Sequence, residues 1–276
     1  MKEEIRMKKY LLVIMTILTG FTLAGCSSAT NGDGDKTITL VMNEIPEFKE
    51  IATVVEEEVE VQGYKLKPVY LTDIIQPNKV VDSKEYDANF FQHQAYLNQF
   101  NQDQGTKVVA AFELFNVPSG LYSKRYDSIA EVPDGATVAI PIDPANNGRA
   151  LFMLQDQGLL KLTEGVKVIH ASVKDIIENP KHLKFKEVEQ QMLARTISDV
   201  DLGFLFTSAA EDAGITADDA VVIEKQDENL AFYNLIVGVH PDNLDSEKTK
   251  VLQKAFQNDR VKEVIESSYS FANVLW

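Results

Sequence analysis

Arg149 is the residue whose position most clearly indicates chemistry. It stands in the segment DPANNGRALFML, residues 143–154, where Asp143 and Pro144 are typical of a helix start. Aspartate caps free backbone N–H groups there, and proline is pre-set for the first helical position. Residues 150–154 carry no charge, so the helix is expected to enter a core. An arginine near the start of such a helix either pairs with a carboxylate of the protein or binds an anion, and the residues alone leave both alternatives open.

A second segment, DANFFQHQAYL at residues 87–97, mixes aromatic side chains with hydrogen-bond donors and acceptors. Phe91, His93 and Tyr96 could form an apolar slot for a ligand, although the same spacing also fits an ordinary helical core. Buried histidine and glutamine side chains need hydrogen-bond partners, which argues against a purely apolar core here. For Phe90, a core position is the better interpretation.

Motifs for catalysis and for metal or phosphate binding are absent from the sequence. There is no Gly-x-Ser-x-Gly elbow and no GxxxxGK[ST] loop. The spacing of the four histidines is not that of zinc ligands; they are His93, His170, His182 and His240. Paired carboxylates remain open among the 42 acidic residues, but none stands out in an apolar setting. The sequence therefore predicts a protein that is not an enzyme and has no metal and no cofactor.

The N-terminus has the pattern of a secretion signal. Residues 2–18 are a basic segment followed by an apolar run that is too short, with these flanks, to remain as a membrane span. Leu23-Ala24-Gly25-Cys26 resembles a bacterial lipobox, in which the cysteine thiol accepts a lipid. Residues 1–25 are predicted to be a signal peptide, and the small polar residues 26–35 a flexible tether. Cys26 is the only cysteine, so it is expected to anchor the chain to the extracytoplasmic face of the cell membrane.

The charge of the chain limits its partners. There are 42 acidic and 27 basic residues, and the formal net charge is −15. Nucleic acids and anionic membrane surfaces both attract basic proteins, so neither is an expected partner. Contact with the membrane is expected only through the lipid on Cys26.

Strand and helix patterns alternate after the tether, which predicts an α/β protein with mostly parallel sheet. Strands are expected around 37–42, 65–71, 107–115, 136–141, 166–170, 183–188, 201–206, 221–224 and 232–239. Helices are expected from Pro46 and at 92–103, 144–157, 172–178, 189–195, 246–257 and 259–268.

A lipid-tethered α/β chain of this size is typical of a two-lobed, periplasmic-binding-protein-like fold with the ligand in the inter-lobe cleft. Lobe 1 is expected to contain residues 36–121 and 236–276, and lobe 2 residues 122–235. The crossings between lobes are expected near Leu121–Tyr126 and near Tyr233–Val239.

Several segments, in order, resemble the methionine-binding lipoproteins of bacterial ABC transporters, the NlpA family. DANFFQHQAYL at 87–97 is similar to the family's DANYFQHxxYL, and PSGLYSK at 118–124 to its PMGLYSKK. DPANNGRAL at 143–151 is similar to NDPTNEGRALLLL. YNLIV at 233–237 is similar to YVNLIV, and Trp276 matches the usual C-terminal tryptophan. The likeness covers nearly all of the chain beyond the tether.

The resemblance implies a role in amino-acid transport without catalysis. It implies that Arg149 holds the carboxylate of an amino-acid ligand and that Asn234 binds its polar α-groups. It also implies that Phe91, His93 and Tyr96 surround a thioether. For Asn234, a sheet-edge or hinge hydrogen bond is the alternative. The implied partners are the membrane permease and the ATPase subunits of an ABC importer.

The sequence departs from the family pattern near the expected cleft. LFTSAA at 205–210 stands where the family has an INxxYA-like stretch, so Thr207 or Ser208 replaces an asparagine; Ser208 is taken as the ligand residue. The expected ligand is therefore methionine, a closely related amino acid or a short peptide. The alternative function is a surface lipoprotein that acts as an adhesin or scaffold with a vestigial cleft.

Overall fold

Two mixed β-sheets with helices packed on them form the framework of the computed structural model. The structure describes residues 36–210, 214–216, 219–225, 230–269 and 271–276. The expected signal peptide, Cys26 and the tether lie outside the described residues. From residue 36 onward the chain forms one compact unit. No helix in the described ranges is long and apolar enough to cross a membrane.

The strands are short and fall into three sheets. In chain order they are β1 (Thr37–Asn43), β2 (Lys65–Leu71), β3 (Ala88–His93), β4 (Val109–Asn116), β5 (Ser119–Tyr122), β6 (Thr137–Pro141), β7 (Lys161–Leu162), β8 (Ile176–Glu178), β9 (Lys184–Val188), β10 (Leu202–Phe206), β11 (Val222–Ile223), β12 (Leu235–Val239) and β13 (Asn273–Val274).

The α-helices lie mainly between strands. In chain order they are α1 (Pro46–Val61), α2 (Gln76–Asp82), α3 (Gln94–Gln104), α4 (Pro144–Asp156), α5 (Leu193–Thr196), α6 (Glu247–Phe256) and α7 (Asp259–Ser268). Short 3₁₀ helices at Val168–His170, Val173–Asp175, Gln190–Met192, Thr207–Ala209 and Leu230–Tyr233 connect several of these elements.

The first sheet has the strand order β13-β4-β12-β3-β1-β2. β1 pairs in parallel with β2 and β3, whereas β12 runs antiparallel between β3 and β4. β3 lies inside this sheet and is buried along its whole length. Phe90 has no exposed surface and packs against the rings of Phe48, Phe115 and Phe256, which confirms its expected place in the core.

The second sheet has the strand order β11-β5-β10-β6-β9. β6 pairs in parallel with β9 and β10, but β5 runs antiparallel to β10 and β11. The expectation of mostly parallel sheet is therefore wrong. The chain changes sheet just before β5 and again just before β12, and each of these strands is antiparallel to both of its neighbours. A third, small sheet consists of the antiparallel pair β7 and β8.

Most of the expected elements are confirmed, but the region 166–178 is not. The segment expected as a strand at 166–170 ends in the 3₁₀ helix Val168–His170, and the helix expected at 172–178 is a 3₁₀ turn followed by β8. A capping box in which Ser172 and Asp175 hydrogen-bond to each other's backbone N–H groups closes that short turn. β8 then pairs with β7, which local periodicity does not reveal.

The chain passes from the first sheet to the second between β4 and β5, through Val117 and Pro118. It returns between β11 and β12. Leu121, which is expected in lobe 1, pairs with Phe204 in the second sheet. The division into lobes itself remains a prediction.

Candidate ligand-binding site

Two strand-to-helix junctions, one from each sheet, face each other. In the first sheet β3 ends at His93 and α3 begins at Gln94; in the second, β6 ends at Pro141 and α4 begins at Pro144. Ligands of α/β proteins commonly bind where the carboxyl ends of strands meet the N-termini of helices. The candidate site is built around the contact between these junctions.

His93 links the two junctions. Its Nδ1 atom accepts a hydrogen bond from the backbone N–H of Tyr96, at 3.0 Å, and so caps α3. Because Nδ1 accepts, the ring proton is on Nε2, which lies 3.1 Å from Oδ1 of Asn146 in α4. Burial and the nearby charge of Arg149 lower the pKa of His93 to about 3, so the ring is neutral near pH 7.

An aromatic cluster surrounds His93. Tyr96 meets both Phe91 and His93 edge to face, at centroid distances of 6.0 and 6.4 Å. Tyr233 meets His93 in the same geometry at 4.9 Å, and its hydroxyl donates to the carbonyl of Ala145 at 3.2 Å. Phe91 is buried, and Tyr96 is half-buried with its hydroxyl donating to the carbonyl of Ile74 at 2.9 Å. The three predicted aromatic positions therefore lie together.

Arg149 is buried at the end of this cluster. Its helix begins as expected, with the Asp143 side chain accepting from the N–H of Asn146 at 3.0 Å. Gly148 allows α4 to pack tightly, because a Cβ atom there would lie 1.8 Å from the carbonyl oxygen of Val168. The Arg149 side chain is 2% exposed, and its guanidinium carbon lies 4.0 Å from the centroid of the Tyr233 ring. Arg149 is thus continuous with the aromatic cluster.

Glu224 already occupies one edge of the Arg149 guanidinium. Nε of Arg149 donates to Oε1 of Glu224 at 2.8 Å, and Nη2 donates to Oε2. Nη2 also donates to the carbonyl of Val117 at 3.2 Å, while Oε2 of Glu224 accepts from the N–H of Ser119 at 3.0 Å. Of the two alternatives from the sequence, the pairing with a protein carboxylate is present. Nη1 of Arg149 donates no hydrogen bond to the residues that the structure describes.

Asn234 lies next to Tyr233, and both of its amide atoms have protein partners. Nδ2 donates to Oε2 of Glu113 at 3.0 Å, and Oδ1 accepts from Nδ2 of Asn116 at 2.7 Å. These bonds join β4 to the residue before β12. They are structural hydrogen bonds of the kind expected in the alternative interpretation of Asn234. A role for Asn234 in binding a ligand remains a prediction.

The replacement for the family asparagine falls in the 3₁₀ helix Thr207–Ala209. Thr207 is buried and donates to the carbonyl of Pro118 at 3.1 Å, so it contacts the segment that joins the two sheets. Ser208, the residue taken as the ligand contact, is half-buried. Its role also remains a prediction.

Asp143 adds an acidic group to the site. One carboxylate oxygen, Oδ1, accepts from the backbone and side-chain amides of Asn146. The other, Oδ2, is buried and has no hydrogen-bond partner in the part of the chain that is described. Burial raises the pKa of Asp143; burial also raises the pKa values of Tyr96 and Tyr233, and the negative charge of Asp143 adds to this. The site therefore offers acceptors as well as the Arg149 cation.

The sequence does not predict a place in the site for Asn116, Asn146, Glu224 or Tyr233. Asn146 and Tyr233 stand inside segments that were singled out, so their positions beside predicted residues were a usable signal. Nothing local marks Glu224, because it is 75 residues from Arg149 in the chain. Among the described residues there is no group of three His, Cys, Asp or Glu side chains that could hold a metal ion.

Comparisons with known proteins identify the family. The family model NlpA lipoprotein matches residues 41–274. A relative named D-methionine-binding lipoprotein MetQ, from Salmonella typhi, is 34% identical over 265 residues, which are 95% of this chain and 96% of the relative.

Two solved structures have the same fold. A nutrient-binding protein from Burkholderia cenocepacia, bound to methionine, has a TM-score of 0.81 and 35% identity; the match covers 87% of this chain and 100% of that one. A lipoprotein of the YaeC family from Enterococcus faecalis has a TM-score of 0.78 and 34% identity over 88% of this chain and 100% of that one. The α/β fold expected from the sequence agrees with the fold of these two structures. The chain belongs to the NlpA lipoprotein family.

Proposed function

We propose that this protein is a lipid-anchored, extracytoplasmic solute-binding protein of an ABC importer. It binds methionine, or a closely related amino acid or short peptide, and delivers it to a membrane permease whose ATPase subunits are separate chains. The family, the D-methionine-binding relative and the methionine-bound structure of 35% identity support this assignment.

The observation that carries the proposal is the continuity between the aromatic cluster and a buried cation. A thioether makes favourable contacts with aromatic edges, worth about 0.3–1.5 kcal/mol each. Phe91 and Tyr96 offer such edges, and Tyr233 leads from them to the guanidinium of Arg149, 4.0 Å from its ring. A methionine lying along this path has its side chain among the rings and its carboxylate at Arg149.

Glu224 determines which nitrogen atom of Arg149 is open to the carboxylate of the ligand. Its own carboxylate takes the Nε and Nη2 edge of Arg149 and is held in addition by the N–H of Ser119. In our proposal the ligand carboxylate binds the remaining Nη1 atom, and Glu224 keeps the guanidinium in place. A charge-assisted hydrogen bond of this kind is stronger than a neutral one.

Closure around the ligand follows from the contacts between the two sheets. The His93–Asn146 hydrogen bond and the hydrogen bond from Tyr233 to Ala145 join elements of different sheets across the site. We propose that the lobes follow the sheets, with hinges at Val117–Pro118 and between β11 and β12. Opening then breaks these two hydrogen bonds, while a few residues at the ends of strands absorb the change in backbone angles, as in other hinge motions.

The protein is proposed to bind without catalysing a reaction. Its relatives are binding proteins, and the side chains of the site hold, orient and enclose a ligand. Cys26 is proposed as the lipid attachment site, with residues 27–35 as the tether to the membrane.

The test is a thermal-shift panel on protein stripped of bound ligand by unfolding and refolding. L-methionine, D-methionine and methionine-containing dipeptides are compared with alanine and lysine, and we expect the largest increase in Tm with methionine or one of its relatives. Arg149→Leu should lose the response, whereas the matched control Arg260→Leu should keep it, because Arg260 pairs with Glu57 and Glu58 on the surface. No shift with any amino acid or dipeptide would contradict the proposal and favour the adhesin or scaffold.

A further inference from the structure

The side-chain oxygen of Asn116 is a buried hydrogen-bond acceptor that no described residue satisfies. Asn116 is the last residue of β4 and is only 3% exposed, yet its Oδ1 atom has no hydrogen-bond partner among the residues that the structure describes. A buried acceptor without a partner costs free energy, so such atoms are rare unless they serve a purpose.

The neighbouring groups determine which amide atom of Asn116 is the free one. Glu113 has a carboxylate, which when ionised can only accept, so the Asn234 amide must turn its Nδ2 toward it. Oδ1 of Asn234 is then left to accept from Nδ2 of Asn116. This chain of hydrogen bonds leaves the oxygen of Asn116, and not its nitrogen, without a partner.

Asn116 also lies between the two residues that the family resemblance assigns to the α-groups of the ligand. Its side chain bonds to Asn234, and the carbonyl of the next residue, Val117, accepts from Arg149. Two residues after Val117, the buried hydroxyl oxygen of Ser119 is likewise without a partner in the described ranges. The end of β4, the start of β5 and the two residues between them therefore offer acceptors near the Arg149 cation.

We infer that Oδ1 of Asn116 accepts a hydrogen bond from the α-ammonium group of the ligand, while Arg149 holds the carboxylate. Asn234 acts as a positioning residue that turns the Asn116 amide. This inference rests on the proposed function, and it makes Asn116 a determinant of specificity for ligands with a free amino group.

The test compares methionine with des-amino methionine, which keeps the carboxylate and the thioether but lacks the ammonium group. Kd is measured by calorimetry for the wild-type protein, Asn116→Leu and the control Asn258→Leu, which removes an asparagine that caps α7. In Asn116→Leu we expect the methionine Kd to rise about tenfold or more and the des-amino Kd to change less than about threefold. The control should keep both wild-type values.

Two results would overturn the inference while leaving the proposed function intact. One is an Asn116→Leu protein that binds methionine as tightly as wild type, and the other is an equal loss for both ligands. If the wild-type protein binds neither ligand, the proposed function fails together with the inference. Circular dichroism checks folding, and if the leucine variant does not fold, Asn116→Ser, whose hydroxyl is too short to replace the amide oxygen, should give the same pattern.

Discussion

Removing the negative charge of Glu224 from the Arg149–Glu224 pair should lower the stability of the unliganded protein and strengthen the binding of methionine. The side chains of Arg149 and Glu224 are 2% and 13% exposed, so the pair is largely out of water. Glu224→Gln keeps the shape of the side chain but leaves the guanidinium without its counter-charge. Breaking a buried ion pair by removing one partner costs about 3–5 kcal/mol, and the slight exposure of Glu224 favours the lower end of that range.

The ligand should recover part of this loss. A ligand present at a hundred times its Kd stabilises the folded state by about 2.7 kcal/mol, and at a thousand times by about 4.1 kcal/mol. If the ligand carboxylate pairs with the charge that Glu224→Gln leaves bare, the variant should bind methionine more tightly than wild type does. We therefore expect lower unliganded stability and a larger stabilisation by methionine.

The assay is urea unfolding followed by far-UV circular dichroism, with and without a fixed concentration of methionine. The control is Glu57→Gln, which removes one of the two partners of Arg260; the side chains of Glu57 and Arg260 are 56% and 54% exposed. Exposed pairs of this kind contribute little to stability, so this variant should unfold nearly as wild type does.

Two results would refute the reasoning. Unchanged unliganded stability in Glu224→Gln would mean that the buried pair does not stabilise the fold. A response to methionine no larger than in wild type would mean that Glu224 itself contacts the ligand or that Arg149 does not bind the carboxylate. Arg149→Leu separates these two cases, because it removes the carboxylate partner while leaving Glu224 in place.

Three further predictions concern the anchor, the aromatic cluster and pH. Cys26→Ala should give a protein without lipid that is shed or retains its signal peptide; a membrane-bound variant with the wild-type mass shift would contradict this. Tyr96→Ala should weaken methionine binding, measured by calorimetry, more than it lowers unliganded stability; a folded variant with lowered unliganded stability and normal affinity would make Tyr96 a core residue. The pKa of His93 is about 3 in the folded protein and 6.5 ordinarily, so the unfolded chain binds more protons between these values and stability falls as pH falls through this window. Urea unfolding from pH 7 to pH 4 should show that His93→Gln removes part of this loss, by up to about 1.4 kcal/mol per pH unit, and parallel profiles would refute it.

Elements with a local signal could be predicted from the sequence. The Asp143-Pro144 start of α4 was correct because a capping carboxylate and a proline act within a few residues of each other. β3 was missed as a strand because it is buried on both faces, so its apolar residues do not alternate with polar ones. The apolar residues of β3 continue directly into those of α3, so the pattern of the two elements together predicts a helix from residue 92.

The parts of the site that depend on distant contacts could not be predicted. The residues around Arg149 leave open whether it pairs with a protein carboxylate or binds an anion, and they do not identify Glu224, which reaches it through the pairing of β11 with β5. Likewise, the roles of Asn116 and Asn234 depend on β4 and β12 lying side by side. Pairing between strands far apart in the chain leaves no periodic trace in the sequence.

A crystal structure of the protein with methionine tests the central claim most directly. We predict the thioether within contact distance of Phe91 and Tyr96, and the carboxylate hydrogen-bonded to Arg149 with Glu224 still on its Nε and Nη2 edge. Methionine bound elsewhere, or bound in the cleft with its carboxylate beyond hydrogen-bond distance of Arg149, would contradict the account.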